Sequence, residues 1–208
     1  MTKYVKLNKQ RTKWNSALYQ VKPANVRRHP DEILPQYNWF PVEEHKKQLP
    51  DQEIYYHAVD DWEVIDGVVH IYYNPTLISL DRRRQILSDR VTDIRNRRLA
   101  SGLTFMGFPF DTKESTYKLV LGVTIKALSD PTYTTYWITE DNRRIKMNAE
   151  QIMAFGSAYE RFQNEHFMKS RDLKDDISIS YYPEQIDINN GWPSAEYYPD
   201  FQPLEVLE

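Results

Sequence analysis

The chain has 208 residues, 40% of them apolar and 27% charged, with a mean hydropathy of -0.71. That length suits one compact domain or two small ones, and the low apolar share suggests a folded middle with extended ends. The absence of cysteine excludes disulfide scaffolds, thiolate metal sites and cysteine nucleophiles, and no apolar run approaches the ~18–20 residues of a membrane helix. The net charge of -3 hides an asymmetry: residues 1–30 hold eight Lys/Arg and no acid, and residues 175–208 hold eight Asp/Glu and no base. Either the two ends neutralise each other within one chain, or an arm reaches a partner or a sister subunit. No membrane association is expected, and nucleic acid is a weaker reading of the basic end. The opening MTKYVKLNKQ lacks the apolar stretch of a signal peptide, so synthesis in the cytoplasm is expected.

Residues 1–52 read as an irregular, proline-interrupted basic arm. Tyr4, Val5 and Leu7, and then Ala17, Leu18, Tyr19 and Val21, are its strand fragments. Pro23, Pro30, Pro35, Pro41 and Pro50 forbid long helices there. Trp39 and Phe40, set before Pro41, read as an anchor, first on the chain's own core and otherwise on a partner. Residues 53–79 carry the clearest β signal: EIYYHAV, then WEVI and VVHIYY on either side of Asp66-Gly67. Asp-Gly supplies the positive φ angles of a two-residue hairpin turn, and Asn74-Pro75 is expected to end the second strand. Trp62 and Val64 fall on one face, Glu63 and Ile65 on the other.

Residues 80–177 predict an α+β domain of three helices alternating with two short hairpins. Leu87, Val91 and Ile94 mark a helix over 80–100, with Gly102 at its C-terminal cap. Its seven arginines between 82 and 98 read as a solvated face rather than a phosphate site, because i,i+4 neighbours are mixed in sign. LTFMGFPF predicts a hairpin at Gly107. Asp111 and Glu114 have capping-box spacing and open a helix to about Ser129, with Tyr117, Val120 or Leu121, Thr124 and Leu128 inward. TTYWITE and RRIKM flank Asp141-Asn142 as a second hairpin. Asn148 and Gln151 form another box, opening a helix with Ile152, Phe155, Tyr159, Phe162 and His166 on one stripe and an end near Leu173. The expected core is Leu87, Val91, Ile94, Phe105, Val120, Leu128, Trp137, Ile152, Tyr159 and Phe162.

Residues 178–208 read as an extended acidic, aromatic arm. It carries Tyr181, Tyr182, Trp192, Tyr197, Tyr198 and Phe201 with no lasting period. Such a segment gains order by laying rings on a formed surface, so these six, with Trp39 and Phe40, are the candidate partner-binding residues, and Trp192 the central anchor.

No catalytic motif is present, and no catalytic residue, cofactor or metal ligand is assigned. His57 and His70 can face each other across neighbouring strands, and with Asp60 or Asp61 nearby the alternatives are a metal site and polar decoration; a His pair on a strand surface reads as decoration.

Three stretches carry a resemblance: RNRRLASGLTFMGFPFDTKES, KALSDPTYTTYWITEDNRRIKMNAEQIMAFG and RDLKDDI. Over about residues 95–177 the chain resembles a phage-encoded domain family of unknown function met in tail-fibre assembly and other tail-fibre-associated proteins. The family's "F-x-G-x-x-F-D-T" hairpin corresponds to Phe105 through Thr112, and its "W-x-T-x-D-N" turn to Trp137 through Asn142. Its upstream "V-x-D-G-V" hairpin is similar to Val64-Ile65-Asp66-Gly67-Val68. The departure is the extension from Ser178 onward. The resemblance carries no catalytic residues. It implies a non-enzymatic bacteriophage tail protein: a structural adaptor in the virion that binds tail-fibre or baseplate proteins, or else a tail-fibre assembly chaperone. A tail-associated enzyme is a distant third reading.

Overall fold

The computed structural model describes residues 3–8, 31–200 and 203–207. The strand fragments at Ala17–Val21, with Pro23, Pro30 and Phe201, lie outside the described residues. The chain divides into two units, residues 1–79 and 80–208, and the fold class is α+β as expected.

The first unit is a four-stranded sheet in the order β1-β2-β4-β3, built from β1 (Lys3–Lys6), β2 (Trp39–Lys46), β3 (Tyr55–Ile65) and β4 (Val68–Leu77). A 3-10 turn over Asp31–Tyr37 precedes β2. The β3–β4 hairpin turns at Asp66 and Gly67, with φ of 48° and 77°, the positive pair that a two-residue turn requires. The two predicted strand pieces are one strand with a bulge between Val59 and Asp61. Strand β4 runs through Pro75 to Leu77 rather than ending at Asn74. Its rungs to β2 stop at Tyr73, so Pro75 has only one neighbouring strand and its missing N–H breaks no ladder there. The expected irregular arm contains a full strand, β2. Pro41 is accommodated because it pairs with Tyr4 of β1 but precedes the first rung to β4 at Val42. One face of the sheet buries Val5, Phe40, Val69, Ile71 and Tyr73, with Trp62 and Val64 packed against them as their alternation predicts. The other face buries Tyr4, Leu34 and Trp39.

The second unit follows the predicted helix–hairpin–helix–hairpin–helix order: α1 (Leu80–Ala100), β5 (Leu103–Phe105), β6 (Phe108–Phe110), α2 (Glu114–Ser129), β7 (Thr134–Ile138), β8 (Arg144–Asn148) and α3 (Ala149–Ile179). Gly102 takes the left-handed cap after α1, with φ 81°. Helix α3 is the spine, with α1 and α2 packed on it. The Asn148–Gln151 box closes both ways, each side chain accepting the other residue's backbone N–H at 2.9 Å. Ile152, Phe155, Tyr159, Phe162 and His166 are all buried. Leu173 and Ile177 extend the buried stripe, and the helix runs six residues past its expected end because that apolar face still has something to cover. At the centre, Phe155 packs on Phe110 and Phe105 at ring distances of 4.4 and 5.3 Å. Trp137 is half-buried against Phe110 and Phe155.

Candidate docking face

Helix α2 departs most from expectation. Its N-cap is Lys113, with no side-chain cap, so the Asp111–Glu114 box does not form. Asp111 instead accepts hydrogen bonds from the Lys113 N–H and the Thr116 hydroxyl. Burial pushes its carboxyl pKa up, but those hydrogen bonds outweigh burial and hold it below the ordinary carboxylate value. The Tyr159 hydroxyl donates to the Lys113 carbonyl at 3.3 Å, and burial with the Asp111 charge raises its pKa to about 12. The first turn of α2 is thereby fixed to α3.

The inward face of α2 is Thr116, Val120 and Ala127. Leu128, expected in the core, is 67% exposed; Tyr117, Leu121 and Ile125 are 42%, 48% and 59% exposed. These four, spaced four, four and three, form a continuous outward apolar stripe on the helix. The opposite flank is apolar too. Exposed Leu119 and half-buried Val123 face Tyr136 and Ile138 of β7 across a groove of about 480 Å³ with Trp137 in its lining. Between residues 117 and 128 the helix has eight apolar side chains and only two charges, Lys118 and Lys126. One helix face cannot bury so many. The signal was legible in TYKLVLGVTIKAL, since a helix apolar nearly all round is normally covered nearly all round.

The predicted partner-binding rings separate into three groups. Trp39 and Phe40 are buried in the first unit, so their surfaces are spent on the chain's own core, on opposite faces of the sheet. Trp192 and Tyr197 lie on the second unit itself. The Trp192 indole N–H donates to the Ile188 carbonyl at 3.0 Å; its ring stacks on His166 at 6.0 Å, and Arg98 lies over it at 5.5 Å. Tyr197 belongs to β9 (Glu196–Tyr197), which pairs in parallel with β5, and packs against the core. Tyr181, Tyr182 and Tyr198 are exposed, and Phe201 lies outside the described residues.

The expectation of an arm extended toward a partner, with Trp192 as anchor, is therefore corrected. Past α3 the chain makes a 3-10 turn (Pro183–Gln185), then β9, then β10 (Glu205–Leu207), which adds to β8 and completes a sheet in the order β10-β8-β7. Backbone pairing and buried Ile188 and Leu204 supply what the rings alone could not.

The arginines of α1 are the other half of this docking. Arg83, buried, pairs with Glu184; Arg84 donates to the Ser180 carbonyl at 2.8 and 3.2 Å; Arg98 donates to the Asn189 carbonyl at 3.4 Å. Neither a solvated face nor a phosphate site describes Arg83 and Arg84, which clasp the acidic C-terminal segment, whereas Arg98 stays exposed as a solvated face predicts and adds its contact from the solvent side. His166 beneath Trp192 is pushed below its ordinary pKa by burial and then by the Arg98 charge, against the Phe162 carbonyl that its Nδ1 contacts at 2.7 Å.

Residues 82–190, just over half the chain, match the domain of unknown function DUF4376. The chain belongs to this family. No curated protein and no solved structure matches it. The matched stretch contains α2, α3 and all but the first two residues of α1, and so the whole of α2 and the Arg83–Glu184 clasp. Trp192, Tyr197 and Tyr198 fall beyond it. Among the described residues, no helix is long and apolar enough to cross a membrane.

Proposed function

We propose that this chain is a non-enzymatic bacteriophage tail protein, a structural adaptor of the virion that holds a tail-fibre or baseplate protein against α2. One observation carries the docking part of the reading: a helix apolar on both flanks is buried by its own unit on one face only. Exposed contiguous apolar surface of this kind marks sites of protein association. The tail assignment rests on the resemblance over residues 95–177, which lies inside the family stretch. The C-terminal segment is occupied on its own unit, so the partner-binding role first given to its rings passes to α2. The partner surface that fits is an apolar helix or groove, with carboxylates at its rim to meet Lys118 and Lys126.

The test is peptide mass spectrometry of purified particles with chain stoichiometry. A fixed copy number per particle is the expected result. Absence from particles, with recovery on newly made fibres, would assign the chaperone role instead. Absence from both would overturn the tail reading.

A further inference from the structure

The sheet face that carries Tyr4 and Trp39 brings together, farther along β2, three groups that the sequence keeps apart. Strands β2 and β4 pair in parallel, with Glu43 opposite His70 and His45 opposite Tyr72. Strand alternation puts Glu43 and His45 on one face, and the register adds His70 and Tyr72 to it. His45 Nε2 lies 3.0 Å from His70 Nδ1, and Glu43 Oε2 lies 3.6 Å from the same His70 nitrogen. The three ligand atoms all fall within 4.8 Å of one another, the one such His/Asp/Glu group among the described residues. The expected partner of His70 was His57, but the register sets His57 opposite Pro75, where its ring nitrogen meets the Lys47 carbonyl at 2.8 Å.

The rings are held in place from outside the cluster. Tyr72 stacks on His45 at 4.7 Å with ring planes 16° apart, and its hydroxyl donates to Glu63 at 2.8 Å. Such outer contacts orient imidazole ligands and are a regular part of metal sites. His45 also lines an open cavity of about 630 Å³ with Asp60, Asp61 and Tyr72, which leaves one side of the cluster accessible.

Two imidazole nitrogens at this distance cannot both present lone pairs to each other. Either one carries the proton of a hydrogen bond, or a cation lies between them. Zinc bound at about 2.0–2.1 Å in tetrahedral geometry separates two ligand nitrogens by about 3.3 Å, a few tenths of an ångström from the spacing here. Two neutral imidazoles and a carboxylate are the donor set of zinc and its late first-row neighbours, whereas calcium and magnesium select oxygen. We propose that Glu43, His45 and His70 form a zinc-class divalent-metal site with three protein ligands and one outward position for water. The site is independent of the docking face on α2.

The full chain, stripped with a chelator and dialysed, is titrated with zinc chloride by calorimetry and with cobalt(II) chloride by visible absorption. The expected result is one saturable site, with the d–d bands of four-coordinate cobalt and no heat from magnesium chloride. His45→Ala and His70→Ala should each weaken binding at least tenfold, and His57→Ala should leave it unchanged. Should either ligand variant fail to fold, long-range ¹H–¹⁵N spectra of the wild-type imidazoles decide: zinc must shift His45 and His70 and leave His57 and His166 in place. No stoichiometric binding, binding that survives both ligand variants, or zinc shifts on other histidines would overturn the site.

Discussion

Helices α1 and α2 pack on the same spine, α3, and turn opposite chemistry outward. The outward side of α1 is cationic, and the chain covers part of it itself: Arg83, Arg84 and Arg98 take up Glu184 and the carbonyls of Ser180 and Asn189. The outward side of α2 is apolar, and Leu121, Ile125 and Leu128 are left exposed. Guanidinium groups that stay in water cost nothing, so covering them requires a shaped acidic segment; apolar groups left in water cost roughly 25 cal/mol per Å². The helix that most needs a cover is the one the described chain does not cover. On the proposed reading the docking role falls to α2, while Glu184 and Glu205 of the acidic end are paired within the second unit, with Arg83 and Lys146.

The comparison breaks first at the clasp. Arg83→Met leaves the Glu184 carboxylate in a half-closed site without its partner, and the loss of one member of a buried pair costs about 3 kcal/mol. Chemical denaturation should register that loss, and limited proteolysis should open the chain after Ile179. A wild-type midpoint would mean that the clasp is ornamental. Next comes the seating of α2 on α3. A Cβ added at Gly156 would fall 2.5 Å from Thr124 Oγ1, a hydroxyl that is buried and has no hydrogen-bond partner. Gly156→Ala should therefore cost about 1–2 kcal/mol despite the better helix propensity of alanine. Gly156→Ala with Thr124→Ala should recover most of it, and thermal melts of the three variants read the coupling.

A smaller effect tests the Trp192–His166 contact between the clasp and the spine. Burial holds the folded pKa of His166 below its ordinary 6.5, so the unfolded chain takes up the proton first as pH falls. The stability that neutral His166 allows is complete above the unfolded value and is lost as pH falls from there through the lower folded one. The wild-type midpoint should drop over that window, and His166→Gln, which still donates to the Phe162 carbonyl, should flatten the slope. Equal slopes would remove His166 from the account.

Much of this is legible in the sequence. The Asp66-Gly67 hairpin, the Asn148–Gln151 box and the α3 stripe rest on local rules, and local rules placed them. Strand β2 was not legible: WFPVEEHK has a proline and four charged or titratable groups in a row, and only its pairing with β1 and β4 makes it a strand. That parallel pairing is also why the His45–His70 contact was missed and His57 was considered instead, since a register between distant strands leaves no local mark. Leu128 was misassigned because a helix with more apolar residues than one face can hold gives no unique inward direction. Of the C-terminal rings, Trp192 and Tyr197 do lie on a formed surface, while Tyr181, Tyr182 and Tyr198 stay exposed. What sequence could not supply was that β5, β8 and α1 provide that surface.

The smallest expected effect on stability accompanies the largest expected effect on binding. Ile125→Glu and Leu128→Glu lie on exposed helix positions and should move stability by no more than about 0.5 kcal/mol. If α2 is the docking face, those two variants remove two of the four apolar anchors on its stripe, and truncation of such anchors costs about 2 kcal/mol or more. The direct measurement is the affinity of the full chain for purified tail-fibre and baseplate proteins, beside the double variant Ile125→Glu/Leu128→Glu with its melting temperature. The account predicts binding by the wild type and a loss of at least tenfold in a variant that melts as the wild type does. Binding unchanged by the double variant would contradict it.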